Sequence, residues 1–586
     1  MQDRPSKVNL RLLFVSSAPG WGSGTRWILD TAQGLAARGH DVEVIGGPGS
    51  RLLARAAEAH LHRRAVRTER VWDPRTVWAM HRALRALRPH AIFLQLEREV
   101  AAVTLGSRRP AAPLLFHRAE QAIPLRDSSW SRRITRTLAS STASRQWLLQ
   151  QRAAPIAILH PGVDLGAALD SQARIVLRRR LKLPSKRPLV VHAGMLVRGN
   201  AQETTLEALA AITGPVPEVA FVGTGPDESR LHDRCHRLGV QDRVHWVGFR
   251  SNASDYVAAA NVLVSPAPTA DDPWALLEAM AQRVPVIAGA APRLDEFLRD
   301  GHNALVVPRE DPVALAAAVG RLLADADLGG RLAENAIATV RDGWSGRAML
   351  DDVESLVYAS LLRQRPGISR QALFVDRDDT LIRNVPYNSE PEQVELLPGV
   401  ARALQWVREA GIRIVVVSNQ SGVARGHHTE DDVRAVNARM REELQAGGAD
   451  VDGIYWCPHA DDAGCDCRKP KPGLLLRAAR ELDIDLGRSL MVGNAQRDLE
   501  AGRSAGTAAV GFAGATTDGD LRATEARYDS WTGLVRDLLR TLVAGDALPP
   551  TPPPGIGIGA LPRSTDAPAP ASDPPLAHPG SATRSG

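Results

Sequence analysis

CPHADDAGCDCRKPKPG, residues 457–473, holds three of the chain's four cysteines together with one histidine. Cys457, His459, Cys465 and Cys467 follow the spacing C-x-H-x5-C-x-C. Four soft or borderline ligands that close together can complete a tetrahedron around Zn2+ with no open position, which is how a structural zinc site is built. Directly behind the last ligand stand Arg468 and Lys469, two cations on a backbone that a metal would hold rigid. A loop pinned in this way suits an anion such as phosphate. The plainer alternative, a solvated loop with incidental charges, does not account for clustering this tight.

Around this loop, three apolar strands each run into polar chemistry. QALFV leads to Asp376, Asp378 and Thr380 (DRDDT), IRIVVV to Ser418, Asn419, Gln420 and Ser421, and SLMV to Gly493, Asn494 and Asp498. In a parallel sheet such strand ends share one edge, so distant segments converge on one pocket. Two aspartates at i and i+2 can bind a hard cation through oxygen. Alternatively, one attacks as nucleophile while its neighbour handles protons. A lone D-x-D is often only a solvated turn. D-x-D-x-T, S-N-Q, R-K-P-x-P-G and V-G-x4-D in this order form a much narrower pattern.

The constellation resembles the haloacid dehalogenase superfamily of phosphatases, and within it the D-glycero-D-manno-heptose 1,7-bisphosphate 7-phosphatases. VVVSNQSGVARG, DGIYWCPH, CDCRKPKPG and MVGN-x3-D carry the match over essentially all of 371–513. The resemblance implies a Mg2+-dependent hydrolase with a Zn2+ loop on Cys457, His459, Cys465 and Cys467. It makes Asp376 the nucleophile, forming an aspartyl-phosphate, and Asp378 the general acid and base. Ser418 and Asn419 would hold the phosphoryl oxygens, with Arg468 and Lys469 adding positive charge. Mg2+ would bridge Asp376, the main chain at Asp378 and residue 494. Thr380, Gln420, Ser421 and Asp498 complete the implied site. Two positions depart from the family's pattern: Asp379 replaces the glycine of DRDGT, and Asn494 replaces a metal-binding aspartate. Histidinol phosphatases share the zinc loop and are the runner-up substrate class.

Upstream, LRLLFV (10–15), the turn SSAPGWGSGT, an amphipathic stretch over 26–38 and RGHDVEVI read as the β-loop-α-β opening of a doubly wound sheet. Gly20, Gly22 and Gly24 let backbone N–H groups approach a phosphate or sugar, or simply make a tight connection. AIFLQLE (91–97) and APLLFHRAE (112–120) read as buried strands. His117 stands at a strand's C-terminal end, either facing a ligand or packed in the core. A second alternation begins at Pro188, with helices expected at 202–212, 227–238 and 273–282. GTGPDESRLHDRCHRLGVQDRVHWVGF, LLEAMAQRVPVIAG and HPGVDL resemble family 4 glycosyltransferases of the GT-B fold, over nearly all of residues 8–362. That resemblance places the ribose of a nucleotide-sugar on Glu278 and the acceptor near His117. It also leaves gaps. Ala270 stands at the first glutamate of E-x7-E, followed by Asp271 and Asp272. Met195 and Asn200 replace the donor loop's two cations, leaving Arg198 as the nearby positive charge.

At 586 residues with a net charge of +6, the chain is too long for one core, and its arginines are scattered. No dense basic run with aromatics points to nucleic acid. No apolar run approaches ~18 residues, and MQDRPSKVNL lacks a signal core. Clustered thiols with Cys235 left alone fit a reducing compartment. The expectation is a soluble cytoplasmic enzyme of sugar phosphates and nucleotide-sugars, with peripheral membrane contact left open by arginine-rich faces. Its fold class is α/β, in four parts. The two GT-B domains occupy 1–185 and 186–365, and RQRPGIS (363–369) carries the break signals of a linker. The phosphatase spans 370–545, and a Pro-rich tail over 546–586 is too poor in large apolar residues to fold.

Overall fold

Short runs of branched aliphatic residues, closed by polar turns, build three parallel sheets. The computed structural model describes residues 8–548 except 19, 68–72, 108–111, 119–130, 152–154, 167–168, 213–215, 251, 268–272, 292–293, 364, 514–520 and 522–526. The Pro-rich tail, from residue 549 on, lies outside the described residues, as do Ala270, Asp271 and Asp272. In the first domain, β1 (Arg11–Ser16) passes through α1 (Ser23–Ala37) to β2 (Asp41–Gly46). β3 (His62–Ala65), β4 (Ala91–Leu94), β5 (Leu114–Arg118), β6 (Arg136–Ala139) and β7 (Ile156–Ile158) complete the sheet, in the order β3-β2-β1-β4-β5-β6-β7.

The second domain begins with α2 (Ser171–Arg180) and continues through β8 (Leu189–Ala193), β9 (Glu218–Val222) and β10 (Val244–Gly248). α3 (Ala253–Ala258), β11 (Val262–Ser265), α4 (Trp274–Ala281), β12 (Val286–Gly289) and β13 (Leu305–Val307) follow, with strand order β10-β9-β8-β11-β12-β13. Arg178 on α2 donates to Ala259 O and Asn261 Oδ1, each at 2.7 Å. These bonds tie α2 to the second sheet. A Cβ at Gly223 or Gly225 would collide with the backbone of Gly194 or Leu196, so both glycines allow the loop after β8 to lie against the loop after β9.

The third domain joins through α5 (Gly346–Leu362), which is buried on every side from Ala348 to Ala359. Its sheet is β14 (Ala372–Val375), β15 (Arg413–Asn419), β16 (Gly453–Cys457), β17 (Leu490–Gly493), β18 (Ala508–Phe512) and β19 (Arg527–Tyr528), ordered β16-β15-β14-β17-β18-β19. α6 (Val400–Ala410) and α8 (Trp531–Ala544) clamp α5 from this side, and α1 packs on it from the first domain. A helix buried all round is normally apolar, yet α5 carries Asp351, Asp352 and Glu354 inside. Each is paired across a domain boundary. Arg38 and Arg536 lie 2.8 and 2.6 Å from Asp351. Arg402 lies 2.7 Å from Asp352, which also accepts a hydrogen bond from Trp406 Nε1 at 2.9 Å. Glu354 takes Arg38 and, at 2.8 Å, His40. Burial alone would raise the Glu354 carboxyl, but His40 and Arg38 outweigh it and hold it at about 2.

The third domain also grips the other two directly. Arg136 of β6 forks onto Glu409, and Gln405 exchanges hydrogen bonds with both the N–H and the carbonyl of Ile158. Arg402 donates to Gly343 O at 2.7 Å. The connection after α5 is stitched down as well: Arg365 donates to Leu542 O and Val543 O at 2.6 Å each. One continuous apolar cluster runs from Leu12 and Phe14 through Leu263 and Val357 to Trp406 and Leu538.

Removing one partner of a buried ion pair strands the other charge. Arg402→Ala is therefore expected to destabilise the chain by about 3–5 kcal/mol, and an excised 1–365 fragment to aggregate. Chemical denaturation of the variant, and size-exclusion chromatography of the fragment, check both outcomes.

Candidate active sites

In the third domain the C-terminal ends of β14, β15 and β17 meet at a cavity of about 70 Å3 lined by Asp376, Asp378, Asn384, Ser418, Asn419, Lys469, Asn494 and Arg497. Asp376 follows β14, and its Oδ1 accepts a hydrogen bond from Lys469 Nζ at 2.6 Å. Lys469 also donates to Val417 O at 2.9 Å and stands 2.7 Å from Asp498, all of them buried. Burial drives the Asp376 carboxyl up; Lys469 pulls it back and Asp498 and Asp378 raise it again, to about 7. Asp378 lines the same cavity. Arg377 holds it at 3.1 Å while Gln420 Nε2 donates to it at 2.9 Å and to Ser418 Oγ at 2.7 Å.

The Cys/His loop is attached to this cavity through backbone. Asn419 Nδ2 donates to Lys469 O at 3.1 Å and Lys469 N donates to Asn419 Oδ1 at 3.0 Å. Behind the clip, Cys457 Sγ lies 3.6 Å from Cys465 Sγ and 3.3 Å from Cys467 Sγ, and the latter two are 3.5 Å apart. His459 Nδ1 is 3.5 Å from Cys457 Sγ and 3.3 Å from Cys467 Sγ. These distances are far longer than a disulfide of about 2.05 Å. They are close to the edge, about 3.8 Å, of a tetrahedron whose metal–sulfur bonds are about 2.3 Å. The four residues can hold a metal ion as a closed site.

A hard cation would find a different donor set at the cavity. Asn494 Oδ1 is buried without a hydrogen-bond partner and lines the same space as the Asp376 and Asp378 carboxylates. An orphaned oxygen beside two carboxylates is the donor chemistry of such a site. Asp379, by contrast, does not line the cavity. It adopts a left-handed φ of +54°, the conformation that favours glycine, and its Oδ1 accepts from Asn384 N at 3.1 Å.

Several expected residues stand elsewhere than at the cavity wall. Arg468 pairs with Asp461 and donates to His459 O at 3.4 Å. Asn419 lines the cavity, but its carboxamide is spent on the Lys469 backbone. Thr380 is fully buried, its carbonyl taken by Trp531 Nε1 at 2.9 Å. Ser421 is absent from the cavity wall, and Asp498 acts through Lys469 while capping α7 (Gln496–Ala505) at Ala495 N, 3.0 Å away. A Cβ on Gly493 would collide with Asp498, so the turn into α7 needs glycine there.

Between the first two domains the geometry is more closed. Glu278 of α4 is buried and paired with Arg26 of α1, whose guanidinium sits 4.5 Å over the Trp274 ring. His117 ends up stacked flat on Trp27, ring centroids 4.0 Å apart, and burial pushes it down to about 3, so the ring is neutral. Gly22 caps α1 in extended conformation, exchanging hydrogen bonds with Thr25. In the loop after β8, Arg198 and Met195 are exposed and Asn200 Nδ2 folds back to Met195 O at 2.7 Å.

Residues 315–506 match the family of haloacid dehalogenase-like hydrolases, 174–339 that of glycosyl transferases group 1, and 24–167 that of Glycosyltransferase Family 4. Among curated proteins, D-glycero-beta-D-manno-heptose-1,7-bisphosphate 7-phosphatase of Pasteurella multocida is 43% identical over 142 residues, 23% of this chain and 77% of that protein. The chain belongs to the haloacid dehalogenase-like hydrolases. The phosphatase of the same name from Rhodopseudomonas palustris is 38% identical to this phosphatase domain over 156 residues, covering 25% of the chain and 87% of the relative. The glycosyltransferase half shares its fold with Anabaena HepE, solved with UDP and glucose, at a TM-score of 0.52 and 19% identity, covering 59% of this chain and 98% of that one. A glycosyltransferase of Rickettsia africae gives a TM-score of 0.53 at 16% identity, covering 60% and 98%. The chain is thus a phosphatase joined to a glycosyltransferase fold.

The motifs did not reveal four side chains that shape these sites: Arg377, Asn384 and Arg497 in the phosphatase, and Arg26 opposite Glu278. Arg377 and Arg497 lie inside the motifs themselves, at positions that motif spacing leaves unspecified. Arg26 meets Glu278 only through tertiary structure. Cys465→Ser is expected to lower bound metal, melting temperature and phosphatase turnover together, since a closed metal site contributes directly to folding. Metal analysis beside calorimetry and phosphate release checks it; full activity in chain stripped of metal would contradict it.

Proposed function

We propose that the phosphatase domain hydrolyses the 7-phosphate of D-glycero-D-manno-heptose 1,7-bisphosphate. The likeness to the heptose bisphosphate phosphatases carries the substrate, and the Asp376–Lys469–Asp498 cluster beside Asp378 carries the chemistry. Asp376 attacks phosphorus, forming an aspartyl-phosphate as the bond from phosphorus to the sugar oxygen breaks. Asp378, positioned by Arg377 and Gln420, gives its proton to the leaving alkoxide and then takes one from the water that hydrolyses the intermediate. Lys469, balanced between Asp376 and Asp498, fixes the nucleophile's orientation and keeps positive charge beside the phosphoryl group. Asp376, the main chain at Asp378 and Asn494 would hold Mg2+, which when bound neutralises phosphoryl charge. Zn2+ is the ion that Cys457, His459, Cys465 and Cys467 suit.

Phosphate release measured across heptose bisphosphate, other sugar phosphates and histidinol phosphate tests the substrate. Asp376→Asn should abolish turnover. Asp378→Asn should lose ~10²–10⁴-fold on the sugar phosphate but far less on an aryl phosphate, whose leaving group needs no proton. Equal losses on both substrates would remove Asp378 from the role of acid.

For the first two domains we propose a glycosyltransferase that takes a nucleotide-sugar, with Glu278 receiving the ribose hydroxyls once Arg26 releases it. One specific observation favours a second reading, in which these domains bind a nucleotide-sugar without transfer: Arg198 is the lone cation of the donor loop. Full-length chain carrying Asp376→Asn, assayed for nucleotide-sugar consumption with and without Glu278→Ala, separates the two. A catalytic site predicts consumption that falls with Glu278→Ala; no consumption by either, with nucleotide still bound, favours the module.

A further inference from the structure

Four charged side chains line the phosphatase cavity, two acidic and two basic. Three are already engaged. Asp378 is held by the buried Arg377, and Asp376 shares Lys469 with Asp498. Four cations on the loops of this domain are engaged too. Arg468 pairs with Asp461, and Arg425 donates to Tyr387 Oη at 2.9 Å and also faces Asp461. Lys471 reaches Gly464 O, and Arg383 pairs with Glu395. Arg497 is the exception. It stands on the first turn of α7, is exposed, and has no ion-pair or hydrogen-bond partner among the described residues. Its neighbour Asp498 turns inward to Lys469, which leaves Arg497 on the outer face of the same turn, at the rim of the cavity.

We propose that Arg497 binds a second anionic group of the substrate, the phosphate that is not hydrolysed, and thereby sets a preference for doubly phosphorylated sugars. The inference rests on the phosphatase reading above and adds the residue that makes the choice. The transferred phosphoryl group meets Asp376, Ser418 and Lys469 in the depth of the cavity. A guanidinium exposed at the rim is placed for the far end of a substrate, and its planar donor fork suits a phosphate. Arg468, the cation of the metal loop, must leave Asp461 before it can serve there; Arg497 leaves nothing.

The test is steady-state kinetics of the full-length enzyme on paired substrates: heptose 1,7-bisphosphate against heptose 7-phosphate, and fructose 1,6-bisphosphate against fructose 6-phosphate. Arg497→Gln should lower the bisphosphate-to-monophosphate ratio of kcat/KM by roughly 10- to 100-fold, the worth of a hydrogen bond to a charged group. The loss should fall on KM, and Arg497→Lys should restore part of it. An equal loss on both members of each pair, falling on kcat, would place Arg497 on the transferred phosphoryl group and overturn the proposal. An unchanged ratio with no loss would also overturn it. Wild-type enzyme that turns over fructose 1,6-bisphosphate but not the heptose substrate would refute the substrate assignment alone, and the fructose pair would still read Arg497. No turnover of any phosphate ester would sink both. Arg497 is exposed, so folding is not at stake, and an unchanged melting temperature confirms it.

Discussion

Three carboxylates inside one helix decide how this molecule holds together. A charge removed from water costs several kcal/mol unless it is paired well, and Asp351, Asp352 and Glu354 are all buried in α5. Their counter-charges come from Arg38 and His40, just after α1, on one side of the chain's midpoint, and from Arg402 of α6 and Arg536 of α8 on the other. Neither half can satisfy α5 alone. The phosphatase domain thus completes the burial of α5, and the stitched connection at Arg365 leaves little room for the halves to separate.

The same logic operates on a smaller scale in the phosphatase site. Lys469 is buried between two acids, and its backbone is clipped to Asn419. The Cys/His loop sets where that backbone runs. The loop that carries the Cys/His group thus fixes the position of the amine that holds the Asp376 carboxylate. Arg377 does the corresponding work for Asp378.

Much of this was legible in the residues, because strands fully buried on both faces read as unbroken apolar runs. β1, β2, β14, β15 and β17 were visible for that reason, and so were the motifs at their ends, which are contiguous in sequence. β3, β6 and β7 were not. HRRA is polar, IAI is three residues long, and RTLA begins with an arginine whose partner, Glu409, lies 273 positions away. The arginine-rich pattern of 171–185 gives no hint that Arg178 donates to Ala259 O of the second domain. In the site, residue types were readable and directions were not. Only packing shows that Arg468 faces Asp461, that Asp379 faces Asn384, and that Arg26 lies against Glu278.

The shared α5 also bears on gene dosage. Two folds carried on separate chains can be made, degraded and diluted independently. Here each act of translation supplies the phosphatase and the glycosyltransferase fold in equal number, and one opening of the common interior exposes both to proteolysis at once. A substitution at Asp351 or Arg536 removes one side of a buried ion pair inside the shared helix, and would lower the amount of both folds by the same factor. Variants in this helix therefore act on both folds together, however far from either site they lie.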